Sequence, residues 1–403
     1  MNILVLTNEY PNSNYPKKNS PWTVPYFARE WAKQGHNVLV VVNTSKFPTL
    51  YYYGAFFLKK IFAKKYNMIA DDICDRTWSH KFYFDDYGVH VYNFPMLKLM
   101  PSAKFPRAVL KKQISLIEDT LNTNGFKPDV ITGHWINPQL FLIEKLGQYY
   151  DCKTAFVFEG DFREKYLKKY NLDDLIHNIN KVGCRSKYAS TKLQERFLLS
   201  YSPFICVSGV PAKFVNLIGH EKTFNSDKIH IFSAGRLVGL KKFNVLINAC
   251  AKAFNDDNYD LRIAGEGALF EELSEQIVSL NKQQTTCLLG KIPRDELFNH
   301  YERSDVFVLI SENEAFGIVY LEAMSKGCIV VASRNGGIDG ILIDGYNGFL
   351  CNAGDENELV AVLKKIQMMS LDEKIQMSKN AIKTATMYTD EQCAKLYLED
   401  ITR

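Results

Sequence analysis

Two glutamates stand eight residues apart in the segment DVFVLISENEAFGIVYLEAMSKGC, which runs from Asp305 to Cys328. On a continuous helix, eight steps of about 100° would leave Glu314 and Glu322 about 80° apart and two turns distant, so one small ligand would not contact both. A polar loop through Glu314, followed by a helix from about Gly317 to Gly327, removes this difficulty. Both carboxylates then face the carboxyl end of the preceding strand, where open α/β sheets bind ligands.

The start of the same helix is a candidate anion site. The backbone N–H groups of Phe316, Gly317, Ile318 and Val319 lie where a helix has no internal acceptors, and such groups bind phosphate or carboxylate. Two carboxylates for sugar hydroxyls beside a helix start for phosphate describe a nucleotide-sugar site. The alternative interpretation makes both glutamates solvated surface charges.

A second segment, IHIFSAGRLVGLKKFNVLINAC from Ile229 to Cys250, again predicts strand, loop and helix. Gly235 allows a tight exit from the strand, and Arg236 and Lys241 follow in the loop. Arg is a bidentate donor and Lys a point charge, so the pair would suit a diphosphate. Two solvated cations in a loop are the alternative.

A third segment, LRIAGEGALFEEL, places Gly265 and Gly267 between a strand and a helix. A dinucleotide fingerprint requires a third glycine where this chain has Phe270. The spacing therefore indicates a close backbone approach and does not indicate hydride transfer.

The elements that position these residues alternate between short β-rich runs and amphipathic helices, the pattern of parallel sheets covered by helices. With 403 residues, 46% hydrophobic, the chain is long enough for about two to three domains. The predicted strands are 3–7, 37–42, 89–94, 129–132, 154–158, 204–207, 229–234, 259–264, 286–289, 305–310 and 329–332.

A polar, turn-rich stretch over 208–228 separates two series of strands. We therefore expect two Rossmann-like domains, 1–207 and 208–388, facing each other across a cleft that would hold the active site. A final helix over 389–403 could pack back on the first domain.

Charge and cysteine content narrow the function classes. A net charge of +4 over 403 residues does not indicate a nucleic-acid partner. The nine cysteines are scattered singly, which is typical of reduced core residues. No His, Cys or acidic cluster has metal-ligand spacing, so we expect no metal and no other cofactor. The N-terminus lacks a signal-peptide pattern and no run is long enough to span a membrane, so a cytoplasmic protein is expected.

Taken in order, these segments resemble the retaining nucleotide-sugar glycosyltransferases of glycosyltransferase family 4, which have the GT-B fold. The resemblance is specific over Ile229–Gly348 and looser elsewhere. The family's Glu-x7-Glu motif matches Glu314 and Glu322, and its Gly-Arg-Leu motif with a following Lys matches Gly235–Leu237 and Lys241. Further matches are Gly265 and Gly267, Gly290–Ile292, Gly336–Gly337, Asn347–Gly348, Gly35–Val38 and Pro128–Trp135.

The resemblance implies roles on the donor side. Arg236 and Lys241 would neutralise the departing diphosphate, Glu322 would hold the ribose hydroxyls and Glu314 would bind hydroxyls of the sugar. The amides of Phe316 to Val319 would bind sugar hydroxyls and phosphate, and Gly290 to Ile292 would meet the base. The acceptor hydroxyl would attack on the face that the phosphate leaves, and catalysis would be mainly charge stabilisation and positioning.

Departures from the family concentrate on the acceptor side, in the first half of the chain. The family's His-Gly-x-Asp turn reads Glu159-Gly160-Asp161-Phe162 here. Either the Glu159 carboxylate contacts the sugar and stabilises developing positive charge, or the family mechanism is altered in this chain. An N-cap-like structural acid is the structural alternative. The family also has a glycine-rich loop after its first strand, and residues 8–22, which follow the first predicted strand here, lack it. Asn8, Trp22 and His134 are candidate acceptor contacts.

The stretch 46–68 mixes aromatic residues with lysines at 59, 60, 64 and 65. A basic amphipathic helix of this kind is typical of contact with an anionic membrane surface, and a lipid-linked saccharide acceptor would then be within reach. A core-facing helix with solvated lysines is the alternative.

These features predict a hexosyl or N-acetylhexosaminyl transferase that uses a nucleotide-diphosphate sugar, most simply a UDP-sugar, for a saccharide acceptor in surface polysaccharide or glycoconjugate synthesis. A non-catalytic GT-B partner subunit and a nucleotide-sugar epimerase are the alternative hypotheses.

Overall fold

The computed structural model describes residues 1–11, 22–54, 56–57, 79–101, 103–160, 164–215, 221–224 and 228–403. It divides into two compact units. The first comprises Met1–Arg185, Ala189–Val207 and Asp390–Arg403, and the second comprises Ser186–Tyr188 and Ser208–Thr389. The assignment of acceptor binding to the first unit and donor binding to the second stays a prediction.

Ten strands of the described chain belong to the first unit. They are β1 Asn2–Thr7, β2 Asn37–Val42, β3 Ser45–Lys46, β4 Phe82–Asp86, β5 Val89–Asn93, β6 Met96–Leu97, β7 Val130–Gly133, β8 Lys153–Phe158, β9 Lys181–Cys184 and β10 Phe204–Ile205. Eight form one sheet in the order β10-β9-β8-β7-β1-β2-β5-β4, in which only the β4–β5 hairpin is antiparallel. Strands β3 and β6 form a separate parallel pair.

The helices of this unit connect the parallel strands. They are α1 Thr23–Lys33, α2 Arg107–Thr123, α3 Ile136–Tyr150, α4 Glu164–Lys169, α5 Leu172–Ile176 and α6 Lys187–Phe197. Their apolar side chains pack with the central strands into one buried cluster that includes Leu4, Ile131, Leu140 and Phe156.

The second unit contains a parallel sheet built from β11 Ile229–Ala234, β12 Tyr259–Ala264, β13 Thr286–Gly290, β14 Val306–Leu309, β15 Ile329–Ser333 and β16 Gly348–Cys351. The strand order is β13-β12-β11-β14-β15-β16. The helices are α7 Phe243–Ala253, α8 Phe270–Ser279, α9 Arg294–Arg303, α10 Ile318–Ser325, α11 Glu356–Met368 and α12 Leu371–Thr386. Strands β14 and β15 are buried throughout, as expected when helices cover both faces.

The C-terminal helix α13, Asp390–Thr402, belongs to the first unit. The indole Nε1 of buried Trp31 in α1 donates a hydrogen bond to the carbonyl of Ala394, at 2.8 Å. The ring of Tyr397 lies 5.1 Å from that of Trp31. This helix therefore completes the core on the α1 face of the first sheet.

The structure confirms the prediction of two parallel-sheet α/β units, and each predicted strand is present to within a few residues. Prediction missed β3, β4, β6, β9 and β16, which hold only two to five residues each. Runs of two to five residues are too short for an alternating or continuous apolar pattern to stand out.

Candidate active site

The second sheet has a topological switch point between β11 and β14. Strand β11 pairs in parallel with β12 on one side and with β14 on the other, so the loops after β11 and β14 diverge from adjacent strand ends. Crevices of this kind are where open α/β sheets bind ligands. The predicted residues Gly235, Arg236 and Lys241 follow β11, and Glu314 follows β14.

The structure brings Lys241 and Glu314 together across this crevice. The Lys241 ammonium donates a hydrogen bond to Glu314 Oε2, and the side chains are 19% and 14% exposed. The next lysine, Lys242, makes a parallel ion pair with Glu312 at 2.8 Å. The Glu312 N–H also donates to the carbonyl of Leu240, at 2.8 Å. The two loops are thus joined by backbone and side chains, while Arg236 is exposed.

Two glycines pack the loops after β11 and β12 backbone to backbone. Gly265 has φ +145°, and a Cβ there would lie 1.8 Å from the carbonyl oxygen of Gly235. A Cβ on Gly267 would lie 2.4 Å from the carbonyl oxygen of Leu237. The sequence prediction of a close backbone approach at these positions is correct, and the backbone approached is that of the cation-bearing loop.

The helix start is built as the sequence predicts. Gly317, with φ +76°, is the N-cap of α10, which begins at Ile318. Phe316 is buried, and a Cβ on Gly337 would lie 2.3 Å from its Cα, so the Gly336–Gly337 turn presses against this backbone. The first amides of α10, including those of Ile318 and Val319, have no acceptor within the helix, and α10 follows the carboxyl end of β14 along the chain.

Glu322 lies inside α10 and does not share a partner with Glu314. Its Oε1 accepts hydrogen bonds from Arg294 Nε at 3.0 Å and Nη2 at 2.8 Å. Its Oε2 accepts one from the Tyr301 hydroxyl at 3.2 Å. Arg294 and Tyr301 were not predicted. The sequence feature that could have indicated this contact is the position of Arg294, which is the first residue of a helix directly after the Gly290–Ile292 turn.

The turn at Gly290 leads into this helix. Gly290 has φ +68°, and its carbonyl accepts a hydrogen bond from the Gly265 N–H at 2.8 Å. Lys291 is 3.5 Å from Glu266 in an exposed ion pair. Ile292 and Pro293 follow, and Pro293 is the N-cap of α9. The turn therefore borders both the Gly265 loop and the Arg294–Glu322 pair.

In the first unit, Glu159 follows β8. Its carboxylate contacts one residue that was predicted, His134, and one that was not, Arg185. His134 Nδ1 is 2.6 Å from Glu159 Oε1, and Arg185 Nε is 3.5 Å from Oε2. Burial opposes ionisation of Glu159, but the Arg185 guanidinium and the hydrogen bond from His134 outweigh it and lower the pKa. Residues 161–163, which complete the departing turn, lie outside the described residues.

Both imidazole nitrogens of His134 are engaged. The Tyr397 hydroxyl is 3.2 Å from His134 Nε2 and 2.7 Å from Thr132 Oγ1. Burial is the main reason that the pKa of Tyr397 is raised well above its usual value, so the phenol keeps its proton. The Tyr397 hydroxyl thus connects His134 Nε2 with Thr132, and Nδ1 of the same ring faces the Glu159 carboxylate. Tyr397 and Arg185 were missed, because sequence spacing gives no sign of contacts over such distances.

Asn8 ends a chain of amide hydrogen bonds at the carboxyl edge of the first sheet. Gln113 donates to Asn43 at 2.6 Å, Asn43 to Gln139 at 3.1 Å, and Gln139 to Asn8 at 2.5 Å. Asn8 in turn donates to the carbonyl of Asn137 at 3.3 Å. Because each amide donates in the same direction, the orientation of the Asn8 side chain is fixed.

Trp22 lies away from this amide chain. It precedes α1, and its ring is 5.5 Å from the Arg29 guanidinium. Arg29 pairs with Asp86 through two hydrogen bonds of 2.8 Å. Residues 12–21 of the loop before Trp22, where the family glycines are missing, lie outside the described residues.

Within the described parts of the chain, no group of three or more His, Cys, Asp or Glu side chains could hold a metal ion. In those same parts, no helix combines the length and apolar character needed to cross a membrane.

The chain that carries these features is similar in sequence to known glycosyltransferases. Residues 218–384 match the family described as Glycosyl transferases group 1. An uncharacterized glycosyltransferase, MJ1178 of Methanocaldococcus jannaschii, is 26% identical over 290 residues, covering 70% of this chain and 77% of that protein. The alignments with several further glycosyltransferases span only 27% to 41% of those proteins.

Solved structures match over the whole chain. A glycosyltransferase from Rickettsia africae has a TM-score of 0.71 at 15% identity, with 100% of this chain and 98% of that one covered. HepE of Anabaena, solved in complex with UDP, has a TM-score of 0.69 at 16% identity, with both chains covered completely. The fold is therefore GT-B, and the match of residues 218–384 to the glycosyl transferases group 1 family supports a glycosyltransferase.

Proposed function

We propose that the protein is a retaining glycosyltransferase of family 4 that transfers a hexose or N-acetylhexosamine from a UDP-sugar to a saccharide acceptor. The observation that carries the proposal is the Lys241–Glu314 pair at the switch point of the second sheet, beside the first turn of α10. Both elements lie inside the group 1 domain. The UDP bound to HepE, a protein of the same fold, supports the choice of nucleotide.

The leaving diphosphate is the group that needs most stabilisation. Arg236 and Lys241 follow β11, and the first amides of α10 follow β14. The two side-chain cations and the amide N–H groups therefore belong to adjacent loops. Because Lys241 is already held by Glu314, its ammonium is in place before the donor arrives, and no reorganisation is needed in the transition state.

Glu314 is suited to the transferred sugar. Its carboxylate has acceptor positions beyond the one that Lys241 uses, and sugar hydroxyls would donate to them. The acceptor hydroxyl attacks the anomeric carbon on the face that the diphosphate leaves, the anomeric C–O bond to phosphate breaks, and a phosphate oxygen takes the hydroxyl proton. Positioning and charge stabilisation supply the catalysis, and the proposal includes no resident metal or other cofactor.

The acceptor side of the proposal uses Glu159, His134 and Asn8 in the first unit. Glu159 is 18% exposed at the end of β8 and keeps its negative charge through Arg185 and His134. A fixed carboxylate accepts hydrogen bonds from saccharide hydroxyls. Trp22, 36% exposed, is an outer stacking surface in this proposal.

A lipid-linked acceptor is supported by an apolar surface on the first unit. Residues 49–54 and 56–57 are helical, and Leu50, Tyr53 and Phe57 lie at helical spacing with exposed fractions of 82%, 64% and 80%. Leu97, Leu99 and Met100 are also exposed, and β6 joins them to the first segment by pairing with β3. Residues 58–68, with lysines 59, 60, 64 and 65, lie outside the described residues.

The charged side chains near this apolar surface indicate what kind of partner it contacts. Residues 94–117 contain no Asp or Glu and five Lys or Arg residues, of which Lys98 is buried. Lys46, Lys104 and Arg107 among the described residues are exposed. Apolar side chains flanked by cations suit an anionic bilayer, which we propose as the partner of this surface.

Vesicle flotation tests the membrane contact. The protein should float with vesicles containing phosphatidylglycerol and not with pure phosphatidylcholine, and Phe57→Asp should reduce flotation at least tenfold. Leu198→Asp is the matched control, because Leu198 is 87% exposed elsewhere in the first unit. Equal flotation of both variants, or binding to neither vesicle, would contradict the membrane proposal.

A nucleotide panel followed by an assay of turnover tests the main proposal. A ligand at about 100 times its dissociation constant stabilises the folded state by roughly 2.7 kcal/mol, which a thermal shift detects. We expect UDP to give a larger shift than GDP, ADP or TDP, and the product to keep the anomeric configuration of the donor by NMR. Nucleotide binding without turnover on any saccharide acceptor would favour the non-catalytic partner subunit instead.

A further inference from the structure

Arg29 in α1 lies beside two exposed aromatic side chains of the first unit. Its Cζ is 5.5 Å from the centre of the Trp22 ring and 5.0 Å from that of the Tyr87 ring, both within cation–π distance. Trp22 is 36% exposed and Tyr87 is 77% exposed. Trp22 precedes α1, whereas Tyr87 lies in the two-residue turn between β4 and β5. Two separate parts of the chain thus form one surface, here called the aromatic platform, from Trp22, Arg29 and Tyr87.

The guanidinium of Arg29 is held in one orientation by a buried carboxylate. Its Nε and Nη2 donate to the two oxygens of Asp86, each at 2.8 Å, and the Tyr10 hydroxyl donates to Asp86 Oδ2 at 2.8 Å. The Asp86 side chain is 4% exposed and that of Arg29 is 19% exposed. Because Asp86 balances the charge of Arg29, the pair does not favour an anionic ligand. Nη1 of Arg29 has no hydrogen-bond partner within the described parts of the chain, so its N–H groups remain donors.

Neither aromatic residue of the platform is of the type that its place in the fold favours. Tyr87 has φ +55° and Gly88 has φ +84°, and a two-residue hairpin turn with two positive φ values favours Asn or Asp before Gly. Trp22 is the N-cap of α1 but makes no side-chain cap hydrogen bond, which Ser, Thr, Asp or Asn would supply. Both positions therefore hold an exposed ring where a small polar residue would stabilise the fold more.

We propose that the aromatic platform is a binding site for a neutral saccharide. The C–H face of a pyranose ring packs on the face of an aromatic side chain, and the Nη1 N–H groups of Arg29 donate to hydroxyl oxygens. Trp22 and Tyr87 supply the stacking faces, and Asp86 acts only by orienting Arg29. The inference goes beyond the proposed function, which uses only Trp22, because this binding needs neither a nucleotide nor turnover.

Calorimetry with neutral hexasaccharides, in the absence of nucleotide, tests the proposal. The probes are hexamers of glucose, mannose, galactose and N-acetylglucosamine, and the wild type should bind at least one of them. Tyr87→Asn and Trp22→Ser should each weaken this binding at least about fivefold, because each removes a stacking face. Both variants should unfold at the same urea concentration as the wild type or at a higher one, since each introduces a residue that the turn or the helix start favours.

Two controls separate platform binding from general effects. Tyr149→Asn removes a tyrosine of α3 that is 66% exposed elsewhere in the first unit, and it should leave saccharide binding unchanged. A hexamer of galacturonic acid, which is anionic, should bind no more tightly than the hexamer of galactose, because Asp86 already balances the charge of Arg29.

Unchanged binding in a variant that carries both Tyr87→Asn and Trp22→Ser would overturn the inference, and so would a wild type that binds none of the neutral hexasaccharides at millimolar concentration. A lower urea midpoint in both single variants would also overturn it, because the two rings would then serve the fold. Failure of the proposed function is distinguishable from these results. In that case the wild type binds a neutral hexasaccharide through the platform, as inferred, but releases no UDP from any UDP-sugar.

Discussion

The Lys241 ammonium and the Glu314 carboxylate form an ion pair between the loops that follow β11 and β14. These are the two loops at the switch point of the second sheet, and the pair lies in the part of the chain that matches the group 1 family. In the proposed reaction, this cation would stabilise the leaving phosphate and this anion would accept hydrogen bonds from sugar hydroxyls.

Replacing Lys241 and Glu314, singly and together, should therefore show whether the two side chains depend on each other in catalysis. We expect Lys241→Ala to lower kcat by about 10²- to 10³-fold, because the leaving diphosphate loses a preorganised cation and faces an uncompensated Glu314. Glu314→Ala should lower kcat/KM, and the double variant should cost less than the sum of the two. The measurement is the initial rate of UDP release from the UDP-sugar.

Lys242→Ala is the control for this cycle, since Lys242 is the adjacent residue and has its own partner, Glu312. Its effect on kcat should be small. Strictly additive costs of Lys241→Ala and Glu314→Ala would mean that the ion pair has no catalytic significance.

The Gly337–Phe316 contact predicts a second effect on the donor site. A Cβ at Gly337 would lie 2.3 Å from Phe316 Cα, so Gly337→Ala must displace the backbone that leads into α10. We expect UDP affinity to fall at least tenfold and stability by about 1 to 3 kcal/mol. Gly239→Ala is the matched control, because a Cβ there meets nothing within 4 Å.

Equal UDP affinity in Gly337→Ala and Gly239→Ala, measured by calorimetry, would mean that the start of α10 does not bind the nucleotide-sugar. Chemical denaturation of both variants shows whether a lost affinity comes with lost stability.

The strands and loops that position the donor site could be predicted because their signals are local. The alternation of apolar runs and helices located β11, β12, β13 and β14, and Gly265 and Gly317 marked the loops in which they lie. The partners of the predicted residues could not be found in this way. Arg294 and Glu322 are 28 residues apart, and Thr132 and Tyr397 are 265 apart, so only the tertiary structure reveals the contacts.

The sequence also predicts that Glu314 and Glu322 belong to one pocket. In the structure they have different partners, because Glu322 points into the α9–α10 contact, where Arg294 and Tyr301 hold it, and Glu314 points to the β11 loop. Helix periodicity gives the distance between two positions, but the neighbouring helix decides which face is buried.

Lys222 supports the elements that hold the donor site. Its buried ammonium donates to the carbonyls of Tyr301 at 3.1 Å, Glu302 at 2.9 Å and Lys326 at 3.2 Å, and so joins the C-terminal ends of α9 and α10. Lys222→Met should lower the free energy of unfolding by about 2 to 4 kcal/mol, because three buried or partly buried carbonyls at helix C-termini lose a charged donor.

The measurement is urea denaturation at pH 7, with Lys326→Met as a comparison that removes a partly exposed ion pair to Glu302. The comparison variant should lose less than about 1 kcal/mol. Equal losses would show that the contribution of Lys222 is that of an ordinary surface lysine.

The Glu159 carboxylate predicts part of the acid dependence of stability. Its folded-state pKa lies below the ordinary value because Arg185 and His134 outweigh the effect of burial. The stabilisation is therefore complete above the unfolded-state pKa of about 4.3, and it is lost as the pH falls through the lower folded-state pKa. Glu159→Gln should cost about 3 kcal/mol at pH 7 and make stability less dependent on pH below that range.

Denaturation curves of wild type and Glu159→Gln between pH 3 and pH 7 test this. The two stabilities should converge toward acid pH. Parallel curves would mean that Glu159 does not titrate with folding, and that the His134 and Arg185 contacts do not hold its charge.

The charge of Lys98, unlike that of Glu159, is expected to destabilise the folded state, and this penalty should be lost at alkaline pH. Its side chain is buried, its ammonium lies 5.1 Å from the centre of the Phe105 ring, and burial with the nearby charge of Lys169 lowers its pKa to about 8. The folded state thus disfavours the charge. Below about pH 8 the penalty is complete, and between that value and the ordinary pKa of 10.5 stability rises with pH because the unfolded state binds more protons.

Lys98→Met should accordingly stabilise the protein at pH 7, by at most about 3 kcal/mol, and the gain should shrink as the pH approaches 10. Lys98→Arg, which keeps the charge, should give no gain at either pH. The measurement is the free energy of unfolding in urea at pH 7 and pH 10. A loss of stability in Lys98→Met at pH 7 would contradict the prediction, because it would mean that the buried ammonium has a favourable partner in the folded state that outweighs its desolvation.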